Sequence, residues 1–219
     1  MRPRWPWMGS RSTSKTETFD PARDGFGFRN PVGKIPNRSG GRQILRRFDP
    51  FLYGRGLCFG MAAASLLYFT ERTAHETRRP PLAQLSLTPA LLDALQKYHS
   101  MQYGSRVVLA TVRDWVYSGG GRPERVLKRL RLVGESPDPH LLCFGPAPNR
   151  RFFSCLARAH AVVPYRVEEG RVHVYDPNHP LDRGRFVEFR QGGAEFTYGG
   201  FRSREGWGIT LVPVQVCTR

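Results

Sequence analysis

Lysine is nearly missing from this chain: Lys15, Lys34, Lys97 and Lys128 are the only four. Acidic residues are also few, 18 Asp plus Glu against 34 Lys plus Arg, which leaves a formal net charge of +16 carried almost wholly by arginine. Such an excess attracts polyanions, yet no dense basic block accompanies it. The strongest clusters are RQILRRF at 42–48 and RVLKRLRL at 125–132. The second places basic residues beside Val126, Leu127 and Leu130 at helical spacing, the pattern of an amphipathic surface helix. Weak affinity of the basic surface for polyanions is therefore expected. Specific nucleic-acid recognition is not, because no strand-borne alternation of aromatic and basic residues is present.

Cysteine is scarce too. Cys58, Cys143, Cys155 and Cys217 include no CxxC pair and no zinc-knuckle spacing. Cys143 in HLLCFG and Cys217 in VPVQVC lie in strand-like apolar runs and are expected to be small buried hydrophobes. HVYDPNH offers His173, Asp176 and His179 as metal ligands, but His173 and Asp176 would point to opposite faces of one strand. Long apolar runs are missing: MRPRWPWMGS has no signal-peptide core, and nothing approaches a membrane span. A cytoplasmic protein without a membrane span is the expectation.

What the chain does have is enough length, 219 residues, for one domain with a real core. Its 23 glycines and 18 prolines suit a loop-rich α+β arrangement better than a helical bundle. Residues 1–25 read as a disordered basic leader and 26–219 as a single domain, with Phe26, Phe28 and Ile35 able to dock on the core. A helix is expected over 58–70, ended before the RRPP at 78–81. A second starts at Pro89 behind the N-cap Thr88, with Leu91, Leu92, Leu95 and Tyr98 on one face. A third spans 105–117 with Val108, Val112, Trp115 and Val116 as its stripe, and SGGG at 118–121 breaks it. A fourth is RPERVLKRLRLV. Then the period changes: HLLCFGP, HAVVPYRVEEGRVHVYDPNHP (two strands about EEG), GRFVEF and GITLVPVQV read as strands. Helices first and an antiparallel sheet second make an α+β fold.

Within this frame RGLCFGMAAASLLYF at 55–69 stands out. Cys58 falls in the first turn of a helix, where unpaired N–H groups and the dipole favour a thiolate. Gly56 and Gly60 leave room beside it for another backbone. A nucleophilic cysteine needs a base and a group that orients the base. With the hairpin turn centred near Glu169, Asp176 falls opposite Val162, two residues from His160 and on the same face. A one-residue change in turn length would break that parity.

GLCFGMAAASLLYF followed by HAVVPYRVEEGRVHVYDPNHP resembles the papain-like cysteine peptidase fold. More narrowly, it is similar to bacterial relatives of the bacteriocin-processing, double-glycine peptidases, and GFGFRN at 25–30 looks like a segment that precedes the cysteine in such relatives. The resemblance implies a central Cys-bearing helix packed on the C-terminal sheet, with Cys58 as nucleophile, His160 as base and Asp176 as orienting group. It implies a peptide or protein substrate, a thioester intermediate and no cofactor. In one respect the chain departs from the family: a Gln about six residues before the Cys usually donates to the oxyanion, and Leu52 stands there. Asn30 and Gln43 are the upstream side chains that could replace it if the loop folds back. Transglutaminase-like acyl transfer uses the same Cys, His, Asp order, and a catalytically degenerate papain-like binding protein is the non-enzymatic alternative. Trp207 is expected to pack in the core.

Overall fold

The computed structural model describes residues 18–31, 56–75, 80–117, 122–133, 139–146 and 159–217. Among them run helices α1 (Pro21–Asp24), α2 (Cys58–His75), α3 (Pro89–Ser100), α4 (Ser105–Tyr117) and α5 (Pro123–Val133). Strands follow: β1 (His140–Pro146), β2 (His160–Glu168), β3 (Arg171–Tyr175), β4 (Phe186–Arg190), β5 (Glu195–Tyr198), β6 (Phe201–Arg202) and β7 (Trp207–Pro213). The order of helices before an antiparallel sheet is the α+β arrangement expected.

The local reasons are visible. Thr88 caps α3 by accepting from the Leu91 N–H at 3.2 Å, and Pro89 occupies the first helical position, where no N–H is needed. Helix α2 outruns its expected end because ERTAH at 71–75 contains no breaker. Its Phe59, Met61, Ala62, Ala63 and Leu66 are all buried, which makes it a central helix.

The seven strands form one sheet in the order β6-β5-β4-β3-β2-β1-β7. Alternation gives it two apolar faces. Leu141, Ala161, Val163, Tyr175 and Val212 pack on Phe59, Ala62, Ala63 and Leu66 of α2. Leu142, Phe144, Val162, Val174, Ile209 and Leu211 pack on Val126, Leu127 and Leu130 of α5 and on Phe196 and Tyr198 of β5. The sheet curls toward closure, so the rings of Phe201 in β6 and Trp207 in β7, at opposite ends of the strand order, meet edge to face at 4.8 Å. Trp207 is thus a packing residue. The outer face of α5 exposes Arg125, Lys128 and Arg131, and Arg122 just before it is exposed as well.

Four expectations need correction. Residues 18–25 are not part of a disordered leader: Asp20 caps α1 through the Ala22 N–H, and Phe19 is buried. Asp24 is fully buried and forms an ion pair with Arg72 of α2 at 3.1 Å, a partner 48 residues away. The stripe of α4 is also displaced. Val107 and Asp114 face inward, while Val108 and Val112 are exposed. Buried Asp114 accepts from the Thr210 hydroxyl at 2.6 Å and pairs with Arg129, so a polar network decides which face turns in. The side chains of Trp115 and Val116 lie outside the described set. Third, the glycine-rich stretch before β7 holds two further strands, β5 and β6. Fourth, VPVQVC is strand only through Pro213 and continues as a 3-10 turn, Val214–Cys217. The leader proper (1–17), RQILRRF, Ile35, Cys155 and SGGG fall outside the described residues. No helix among the described residues is long and apolar enough to cross a membrane.

Candidate active site

The approach to Cys58 is shaped by two glycines. Gly56 adopts φ +101°, a conformation that L side chains avoid, and a Cβ there would sit 2.5 Å from the Asn30 amide nitrogen. At Gly60 a Cβ would lie 2.2 Å from the Leu95 carbonyl oxygen, so α2 and α3 cross with backbone nearly against backbone. Leu57 accepts the first intrahelical bond, from the Met61 N–H, which leaves Cys58 as the first residue of α2. The Leu57 N–H is itself capped by Asn30 Oδ1 at 2.5 Å, a cap supplied from 27 residues upstream.

The hairpin brings the second and third groups. The turn at Glu169–Gly170 pairs Glu168 with Arg171, Val167 with Val172 and Arg166 with His173. The ladder then shifts by one residue at Tyr165 and resumes as Pro164 with Val174 and Val163 with Tyr175. The turn therefore lies half a residue beyond the expected centre, and a β-bulge on β2 compensates for the difference. Asp176 follows directly after the Val163–Tyr175 pair, so it reaches the face of Val162 and His160 as expected.

His160 opens β2 and donates from Nε2 to Asp176 Oδ1 at 2.8 Å. A carboxylate can only accept, so the proton is on Nε2 and Nδ1 is left for the thiol. Cys58 lies beside His160, near enough for each to shift the titration of the other, and its Sγ is 4.0 Å from the Ala159 carbonyl oxygen. All three side chains are nearly buried. Burial pushes the Cys58 thiol up, but the hydrogen bond and positive charge of His160, with the backbone N–H groups of Ala161 and Phe59, outweigh it and hold the thiol below its ordinary value. Burial pushes His160 down, and the bonds and charges of Asp176 and Cys58 overcome that and hold the imidazole well above its ordinary value. Asp176, against its own burial, is brought down to about 2 by His160, Tyr198 and the Asn178 N–H. The electrostatics favour a thiolate–imidazolium pair. Cys143 and Cys217 behave in the opposite way: burial raises both, Cys217 to about 12.

Of the two oxyanion candidates, Gln43 lies outside the described residues, as does Leu52. Asn30 is beside the site, but its amide is already engaged. Its Oδ1 takes the Leu57 N–H and its Nδ2 donates to Asn178 Oδ1 at 2.8 Å, while its backbone N–H donates to the Pro177 carbonyl at 2.8 Å. Asn30 thus clasps the cysteine end of α2 to the loop that carries Asp176.

Sequence reasoning missed three further residues. Asn178 donates its backbone N–H to Asp176 Oδ1 at 2.8 Å. Tyr198 of β5 donates its hydroxyl to Asp176 Oδ2. Phe201 stacks on the His160 ring, centroids 6.0 Å apart and planes within 9°. The DPN turn signals the first; no local signal marks the other two. Instead of joining a metal site, His173 bonds Glu168 at 2.9 Å, and no group of His, Cys, Asp or Glu among the described residues could hold a metal ion. No family model, curated protein or solved structure matches the chain.

Proposed function

We propose that the protein is a papain-like cysteine hydrolase of peptide or other amide bonds. The observation that carries the reading is His160 hydrogen-bonded to Asp176 and set beside a cysteine that is the first residue of a central helix. In this reading the Cys58 thiolate attacks the amide carbon, and the carbonyl electrons move to oxygen. The first free N–H groups of α2 face the developing charge. The His160 imidazolium then gives its proton to the departing amine, leaving a thioester. Neutral His160 next takes a proton from water, the hydroxide oxygen displaces the thiolate, and the acid product leaves. Asp176 keeps the imidazole in the productive tautomer throughout.

The test is alkylation by iodoacetamide at pH 6, read residue by residue by mass spectrometry. Cys58 is expected to react far ahead of Cys143 and Cys217. Equal rates would remove the activated thiolate and the reading with it. Transglutaminase-like acyl transfer shares the triad. Adding a primary amine to a turnover assay separates the two, since hydrolysis gives free acid and acyl transfer gives the new amide.

A further inference from the structure

We infer that Tyr198 is a positioning residue of this site: its hydroxyl fixes the Asp176 carboxylate in the orientation that holds His160. The inference rests on the reading of Cys58 as nucleophile and adds a residue to it. The two oxygens of Asp176 have different duties. Oδ1 accepts from His160 Nε2 and from the Asn178 N–H, both at 2.8 Å. Oδ2 accepts from Tyr198. With only the Oδ1 bonds in place, the carboxylate could still tilt about its Cβ–Cγ axis; the third bond removes that freedom.

Tyr198 is well built to aim a hydroxyl. It is buried, and its ring lies on Phe144 with centroids 5.0 Å apart and planes within 8°. The Arg185 guanidinium covers it at 5.7 Å. Phe144 also stacks with Phe201 at 5.1 Å, and Phe201 stacks with His160. The β5–β6 segment therefore sends two side chains to the site, one against the imidazole and one against its carboxylate. A phenylalanine would fill the same stack. The hydroxyl adds nothing to that packing, and its hydrogen bond goes to a triad residue. Burial and the Asp176 charge both push the phenol up, so it remains a donor across the working pH range.

The experiment follows Cys58 alkylation by iodoacetamide from pH 4 to pH 10 in the full chain, with thermal unfolding alongside. Four proteins are compared: wild type, Tyr198→Phe, Asp176→Asn and the double variant. Tyr198→Phe is expected to slow alkylation at pH 6 by about tenfold, the worth of one hydrogen bond to a charged group, and to move the midpoint of the profile up toward that of a free cysteine. Its unfolding temperature changes little. In the Asp176→Asn background, Tyr198→Phe is expected to slow the reaction no further, because both act through one group. A wild-type profile for Tyr198→Phe overturns the inference, and so does equal slowing in both backgrounds. Unfolding of Tyr198→Phe where Asp176→Asn stays folded assigns the hydroxyl to the fold and also overturns it. If wild-type Cys58 reacts no faster than Cys143 or Cys217, the cysteine reading fails first, which keeps the two failures distinct.

Discussion

Asp176 is a nearly buried carboxylate whose charge is held by His160, Tyr198 and the Asn178 N–H. Its folded pKa lies below that of an unfolded aspartate, about 4. The stability it contributes is present above that value and is lost as pH falls toward 2. Denaturant midpoints of the wild type are expected to drop between pH 5 and pH 2, and Asp176→Asn should lose that part of the slope. His160 answers in the other direction. Part of its elevation comes from the Cys58 thiolate, so Cys58→Ala should lower its titration midpoint. Ring-proton NMR of a His160 that titrates unchanged in Cys58→Ala would show that no thiolate faces it. Asp176 and His160 were legible as a pair in the sequence because both sit in one hairpin. Tyr198 was not, since its relation to Asp176 depends on strand pairings that no local pattern encodes.

At the scale of elements, the crossing of α2 and α3 and the tie between α1 and α2 make separate predictions. Gly60→Ala would press a methyl against the Leu95 carbonyl, which is backbone and has no rotamer to change. A destabilisation of about 1–3 kcal/mol is expected in urea unfolding. Replacing Asp24 or Arg72 alone breaks this buried ion pair, at about 3–5 kcal/mol. An Asp24→Asn, Arg72→Met pair should cost less than the two single changes added, which a double-mutant cycle reads directly. Helix α3 was legible because Thr88 and Pro89 mark its start by chemistry alone. Strand β5 was not: only five residues lie between the glycine pairs at 192–193 and 199–200, and glycine pairs read as loop. The face of α4 was misread because its inward position is an aspartate. Its burial is offset by distant groups: Arg129, the Thr210 hydroxyl and the Leu211 N–H.

Across the whole molecule, the site draws on residue 30, on 57–58, on 160, on 176–178 and on 198, so it exists only when helices and sheet are docked. Strands β1, β2 and β7 lie between the α2-facing and α5-facing clusters and are covered on both sides. Their central amides, at Leu142, Val162 and Leu211, are expected to exchange slowest with deuterium, while those of β6 exchange quickly. Comparable rates at Leu142 and Phe201 would contradict a core centred there. One feature of the hairpin reaches beyond this chain. From Val163 to the turn β2 uses six residues, and the return from Arg171 to Tyr175 uses five; the surplus is absorbed at Tyr165. A hairpin with a regular ladder would bring the same two side chains face to face with one residue fewer between them. The separation of histidine and aspartate along the chain is therefore a poor signature for sites of this kind. What must be kept is the match of their positions across the ladder, so a search for sites of this design should let the loop of chain between the two residues vary in length and score the pairing instead.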